Sequence, residues 1–180
     1  VGVAFNVALM GSGFYADTAP MLQRLRDLNL WAQLQVQEDQ LLDLNDIFID
    51  SGVRVMFDHC GRPRASAGVT QAGFKALLKW AATTRACVKL SGIAKFSEEL
   101  PFCADAQPYL KALIEAFTPQ SLVWASDWPF LRAPMRLDYG CIRHQVVDWF
   151  PNAADRHAVL WDTPRRLLGW QIEDTRPCPS

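Results

Sequence analysis

Two short apolar runs in this sequence end abruptly in ionisable residues. Val55 to His59 (VMFDH) delivers a histidine ahead of Gly61, Arg62 and Pro63, and Leu122 to Asp127 (LVWASD) delivers an aspartate ahead of Trp128 and Pro129. A carboxylate among aromatic neighbours is suited to take a proton from water, although Asp-x-Pro is also ordinary turn-capping chemistry. A neutral histidine can hold a metal, donate to a substrate carbonyl or satisfy a loop carbonyl. Arg62, Arg64, Arg132 and Arg136 fall in loops that would border the same opening, where a guanidinium can grip a carboxylate bidentately. Cys60 lies beside His59, but a cysteine in such a run is more often a small packing residue than a nucleophile. His144 and His157 fall in helices expected on the outside.

An apolar run that empties into a Gly- or Pro-rich loop is the pattern of a buried parallel strand. Five such strands are expected: Val1 to Ala8, Leu30 to Val36, Val53 to His59, Cys87 to Gly92 and Ser121 to Asp127. Between and after them, apolar residues at helical spacing predict helices over about 18–28, 39–50, 70–84, 106–117, 139–150 and 153–168, the last despite Pro164. Alternation of this kind calls for a parallel sheet with helices outside, hence an α/β fold. No G-x-G-x-x-G or P-loop follows any strand, which removes the nucleotide reason for an open doubly wound sheet. In a parallel (β/α) barrel of the TIM type, residues at the C-terminal strand ends converge on one mouth. Asn6, Gln35, Ser91, Arg62 and Arg132 are then candidate substrate contacts around His59 and Asp127.

Composition bounds the partners. Eighteen basic residues against nineteen acidic ones leave a formal charge of −1, which does not suggest nucleic acid or an acidic membrane. No apolar run approaches the 18 or so residues of a membrane span. Five cysteines without a C-x-x-C pair argue against a disulfide framework and a zinc ribbon. That cysteine usage points to a reducing cytoplasm as the expected location, and no targeting peptide is visible. At 180 residues the chain is short for an eight-unit barrel of about 250, so only the last five β/α units are expected, over residues 1–169 with a surface tail at 170–180. Open strand edges predict a homo-oligomer.

Four motifs in order, DHCGRP (58–63), VKLSG (88–92), WASDWP (124–129) and LWDTPRRLLG (160–169), resemble the amidohydrolase superfamily. The likeness is greatest to its amidohydrolase-related, TIM-barrel lactonase branch, which includes 2-pyrone-4,6-dicarboxylate lactonase and sugar-lactone hydrolases. The resemblance implies that Asp127 activates the hydrolytic water, that His59 polarises the carbonyl or binds metal, and that Arg62 meets a substrate carboxylate. The His-x-His pair that opens this family is absent from the sequence. Zinc or another divalent metal is therefore expected only if upstream histidines supply ligands, since two protein groups fall short of the usual three. The expected activity is hydrolysis of a small, carboxylated lactone or sugar-acid lactone. The alternatives are a non-catalytic barrel remnant serving in binding or assembly, and a metal-dependent amidohydrolase or decarboxylase on the same fold.

Overall fold

Each apolar run pairs with the one before it in sequence. In the computed structural model, which describes residues 1–170, β1 (Gly2–Asn6), β2 (Trp31–Gln35), β3 (Arg54–Phe57), β4 (Ala86–Leu90) and β5 (Leu122–Trp124) form one sheet in that order. All four pairings are parallel. After each strand the chain turns back through helix: α1 (Val7–Met10) and α2 (Ala19–Asp27), α3 (Leu41–Ser51), α4 (Ala72–Lys79), α5 (Gln107–Ala116), then α6 (Tyr139–Trp149), α7 (Ala153–His157) and α8 (Thr163–Leu168). This is the α/β architecture of a parallel (β/α) barrel arc with five units. Among the described residues no helix is long and apolar enough to cross a membrane.

The period of two in the strands divides the sheet into two faces with different chemistry. Phe5, Leu34, Phe57, Val88 and Leu122 face the helices and join Leu22, Leu44, Phe48, Leu77 and Leu113 in the main core. Each fully buried side chain of this size contributes about 1.5–3 kcal/mol. On the opposite face Trp31, Met56, Cys87 and Val123 make a smaller cluster against Leu167 of α8, and the Trp31 indole donates to the Leu167 carbonyl at 3.1 Å. Above that layer the inner face turns polar. Gln33 donates to Asp58 at 2.7 Å, and the Lys89 ammonium stands 2.7 Å from the other Asp58 oxygen. Removing one partner of such a buried pair costs about 3–5 kcal/mol. Beside these residues the inner face opens into a groove of about 380 Å³ bounded by Val3, Trp31, Met56, Val123 and Trp170.

Several expected boundaries shift. The strands ending in His59 and Asp127 stop short, at Phe57 and Trp124, so both residues sit in the loops beyond. Thr18 precedes α2, but its hydroxyl donates back to the Tyr15 carbonyl and makes no cap contact with the helix. Of the apolar residues at helical spacing within the expected helix 18–28, Met21 and Leu28 are exposed, whereas Leu22 and Leu25 are buried. The last helix runs helical from Ala153 to Leu168 as expected, with a widened π-turn, Ala158–Asp162, between α7 and α8. Pro164, which has no N–H to donate, follows directly after the π-turn in the first turn of α8. The expected tail falls, from residue 171 onward, outside the described residues.

The N-terminus of α4 packs directly on the loop after β2. The Gly73 amide donates to Asp39 Oδ1 at 2.7 Å, and a Cβ at Gly73 would lie 2.3 Å from the Glu38 carbonyl oxygen and 2.8 Å from Asp39 Cα. Gly73→Ala is expected to destabilise the fold by about 1–3 kcal/mol, the usual cost of overpacking, read as a lowered urea midpoint. An unchanged midpoint would show that this contact has room to yield.

Candidate active site

The histidine is presented on unusual backbone. His59, Cys60, Gly61 and Arg62 have φ values of 51°, 57°, 75° and 43°, a left-handed run that costs non-glycine residues roughly 1–3 kcal/mol each. Its surroundings hold it in place. Gly61 donates to the Asp58 carbonyl at 2.9 Å, Arg62 to the His59 carbonyl at 2.8 Å, and Glu38 to the Arg62 carbonyl at 2.8 Å. The Cys60 sulfur packs against the carbonyls of Lys89 and Ser91. Burial pushes that thiol up to about 12, which makes it a packing residue with little thiolate to offer as a nucleophile.

The loop after β4 supplies the floor and the lid of the imidazole. Ser91, only 3% exposed, places its hydroxyl 3.0 Å from His59 Nδ1. Gly92 follows with φ 59°, and a Cβ there would lie 2.5 Å from Nδ1, so the ring occupies space that only glycine leaves free. The 3₁₀ turn Ile93–Lys95 then sends Lys95 back across the ring. Its ammonium lies 3.4 Å from His59 Nε2 and donates to Asp127 Oδ1 at 2.8 Å. His59 Nε2 and Asp127 Oδ1 are 3.7 Å apart. The three side chains are only 11%, 9% and 12% exposed for His59, Lys95 and Asp127. With an ammonium facing Nε2, the network assigns the proton of the neutral ring to Nδ1, which donates to Ser91 Oγ.

Burial holds the imidazole below the ordinary histidine value, with Lys95 and Lys89 pushing the same way against Asp58 and Asp127. Asp58 acts on it only through space, its oxygens being taken by Gln33 and Lys89. The neighbour that closes on Asp127 is this lysine. Trp128, expected to hem the carboxylate in, is 65% exposed and turned outward.

A cavity of about 500 Å³ reaches Lys95 and is lined by Asn6, Gln35, Gln37, Arg62 and Arg132, with Leu9 and Leu131 on its rim. The Arg62 Nε is buried without a hydrogen-bond partner among the described residues. Asn6 is partly committed, since its Oδ1 accepts from the Leu9 amide at 3.1 Å. Ser91 differs from the other four candidates: its hydroxyl is turned to the imidazole and it does not line this cavity. Gln33 is engaged by Asp58, Arg64 is an exposed partner of Glu38, and Arg136, His144 and His157 are exposed. Lys95 is the residue that sequence reasoning missed, because a lysine in a connecting turn carries no spacing signal.

These residues do not fit a metal ion. Among the described residues no three His, Cys, Asp or Glu side chains are grouped as ligands, and the ammonium stands against both His59 and Asp127.

A family model described as amidohydrolase matches residues 1–170. The chain is 33% identical over 147 residues to a 4-sulfomuconolactone hydrolase of Rhizobium radiobacter, covering 80% of this chain and 49% of that protein. It is 32% identical over 105 residues to an L-fucono-1,5-lactonase of Burkholderia ambifaria, covering 58% and 35%. A crystal structure of an amidohydrolase from Burkholderia multivorans with bound zinc is similar at a TM-score of 0.78 and 25% identity, covering 93% of this chain and 64% of that one. The chain thus spans about half the length or less of these two curated relatives.

Because the folded protein resists charging His59, the unfolded chain binds more protons between the lowered value and 6.5. The stability contributed by the neutral ring is complete above pH 6.5 and is lost as the pH falls through that window. An imidazole NMR titration is expected to give a midpoint below 6.5, and His59→Gln should flatten the acid fall in melting temperature. A midpoint above 6.5 would contradict the assignment.

Proposed function

Since the chain belongs to the amidohydrolase family, we propose that it is the water-activating portion of a hydrolase that opens a small, carboxylated lactone. The observation that carries this reading is the cavity in which Arg62, Arg132 and Lys95 stand beside the amides of Asn6 and Gln35, next to the Asp127 carboxylate. Three cations and three uncharged amides, those of Asn6, Gln35 and Gln37, suit a compact organic anion, and the unpartnered Arg62 Nε is a donor in want of an acceptor. The relatives hydrolyse lactones of different character, one sulfonated and one derived from a sugar by their names.

In this mechanism Asp127 takes a proton from water as the water oxygen attacks the lactone carbonyl carbon. Lys95 faces the developing oxyanion, with His59 and Ser91 fixing where its ammonium lies. The ring C–O bond then breaks, the departing ring oxygen takes the proton from Asp127, which restores the carboxylate, and the hydroxy acid leaves after its new carboxyl group loses a proton to solvent. Gly92 and Ser91 act as positioning residues through the imidazole. The same reading places the enzyme in the cytoplasm, in keeping with the buried free thiols Cys60, Cys87 and Cys103. It also has the chain self-associate, since β1 and β5, at the two ends of the sheet, each leave one strand edge unpaired among the described residues.

Asp127→Asn is expected to lower kcat for lactone hydrolysis by about 10²–10⁴-fold, the range for loss of a general base, with the fold retained although the melting temperature falls, since Lys95 loses the carboxylate it pairs with. Retained turnover removes Asp127 from the mechanism. Arg62→Ala should raise KM for a carboxylated lactone while leaving a neutral lactone unaffected, and equal effects on both would remove the carboxylate from the proposed substrate. Light scattering that shows a clean monomer at high concentration would remove the self-association.

A further inference from the structure

We infer that Lys95 is a resident cation, its ammonium held between His59 and Asp127 where a divalent metal would otherwise bind, and that it keeps this site free of metal. The distances carry the inference. Two zinc ligands at about 2.0–2.1 Å in a tetrahedral shell stand about 3.3 Å from each other, and His59 Nε2 and Asp127 Oδ1 are 3.7 Å apart. The pair is therefore spaced almost as two ligands of one ion would be. The ammonium instead lies 2.8 Å from the carboxylate oxygen and 3.4 Å from the ring nitrogen, so the donor atoms a metal would need are already facing a positive charge.

The lysine is not a surface side chain that has strayed inward. It is 9% exposed along its side chain, and its turn is fixed by the Lys95 amide on the Gly92 carbonyl at 2.9 Å and the Ser97 amide on the Ile93 carbonyl at 3.0 Å. The Gly92 backbone that lets the imidazole approach is also the start of the turn that brings the ammonium over it. A divalent ion entering here would meet a like charge at contact distance, with Arg62 and Arg132 lining the cavity alongside. It binds only if Lys95 loses its proton or withdraws. This inference concerns what occupies the site and is independent of which bond is hydrolysed.

Cobalt(II) titration followed by its visible d–d absorption, together with elemental analysis of zinc in the purified protein, tests it directly. Wild type is expected to show no saturable cobalt at this site and no stoichiometric zinc. Lys95→Met should bind cobalt at least about tenfold more tightly, within the range by which groups around a metal shift its affinity. Lys95→Arg, which keeps the charge, should exclude the ion as wild type does, and Lys95→Met combined with Asp127→Asn should lose the gained binding. Lys95→Gln serves as the second neutral variant if the methionine variant does not fold. Two outcomes would overturn the inference: stoichiometric metal in wild type that Asp127→Asn or Lys95→Met removes, or neutral variants at position 95 that bind cobalt no better than wild type.

Discussion

The parallel pairing of β3, β4 and β5 is the constraint on which the site depends. Phe57 lies beside Val88, and Val88 beside Leu122, so the three strands run in register and their loops emerge at the same end of the sheet. His59, Lys95 and Asp127 meet there although 36 and 32 residues separate them in the chain. A slip of one residue in any of these pairings would turn Phe57, Val88 and Leu122 from the apolar core toward the polar inner face. The buried outer face therefore fixes the chemistry of the opposite end.

The site itself is bought with backbone strain that the surrounding packing offsets. Left-handed conformations at His59, Cys60, Arg62 and Asp127 persist because carbonyls and amides on neighbouring loops are matched to them. The buried Cys60 thiol acts as a pin between the Lys89 and Ser91 carbonyls. Below, the Gln33, Asp58 and Lys89 cluster satisfies the charges of the inner face. The result is a set of three charged or polar side chains that have little freedom to rearrange, the condition that preorganised electrostatics requires.

Much of this arrangement was legible in the sequence. Apolar runs of strand length alternating with helical spacing predict the five parallel units, and the placing of His59 and Asp127 at the ends of two such runs predicts that they share a mouth. Asn6, Gln35, Arg62 and Arg132 are expected at that mouth for the same reason, and they line one cavity. What escaped lies where tertiary geometry overrides pattern. Ser91 sits at a strand end like the others, yet the closeness of Gly92 to the imidazole draws its hydroxyl to His59. Trp128 stands next to Asp127 in sequence, yet the turn points it to solvent. Lys95 is three residues past Gly92 in a turn with no regular period, and only the path of that turn reveals that it reaches both partners. The widening at Ala158–Asp162 rests on the i→i+5 bonding of a π-turn, which apolar spacing does not encode.

The run of four positive φ values from His59 to Arg62 also limits what the molecule can become. Asparagine, aspartate and glycine tolerate such a conformation, while β-branched residues do not. Drift at position 59 is thereby confined to a narrow alphabet, whatever substrate selection favours. New specificities in this scaffold have to arise from the cavity walls, at positions such as Gln37, Leu131 and Arg132, while the histidine loop stays as it is.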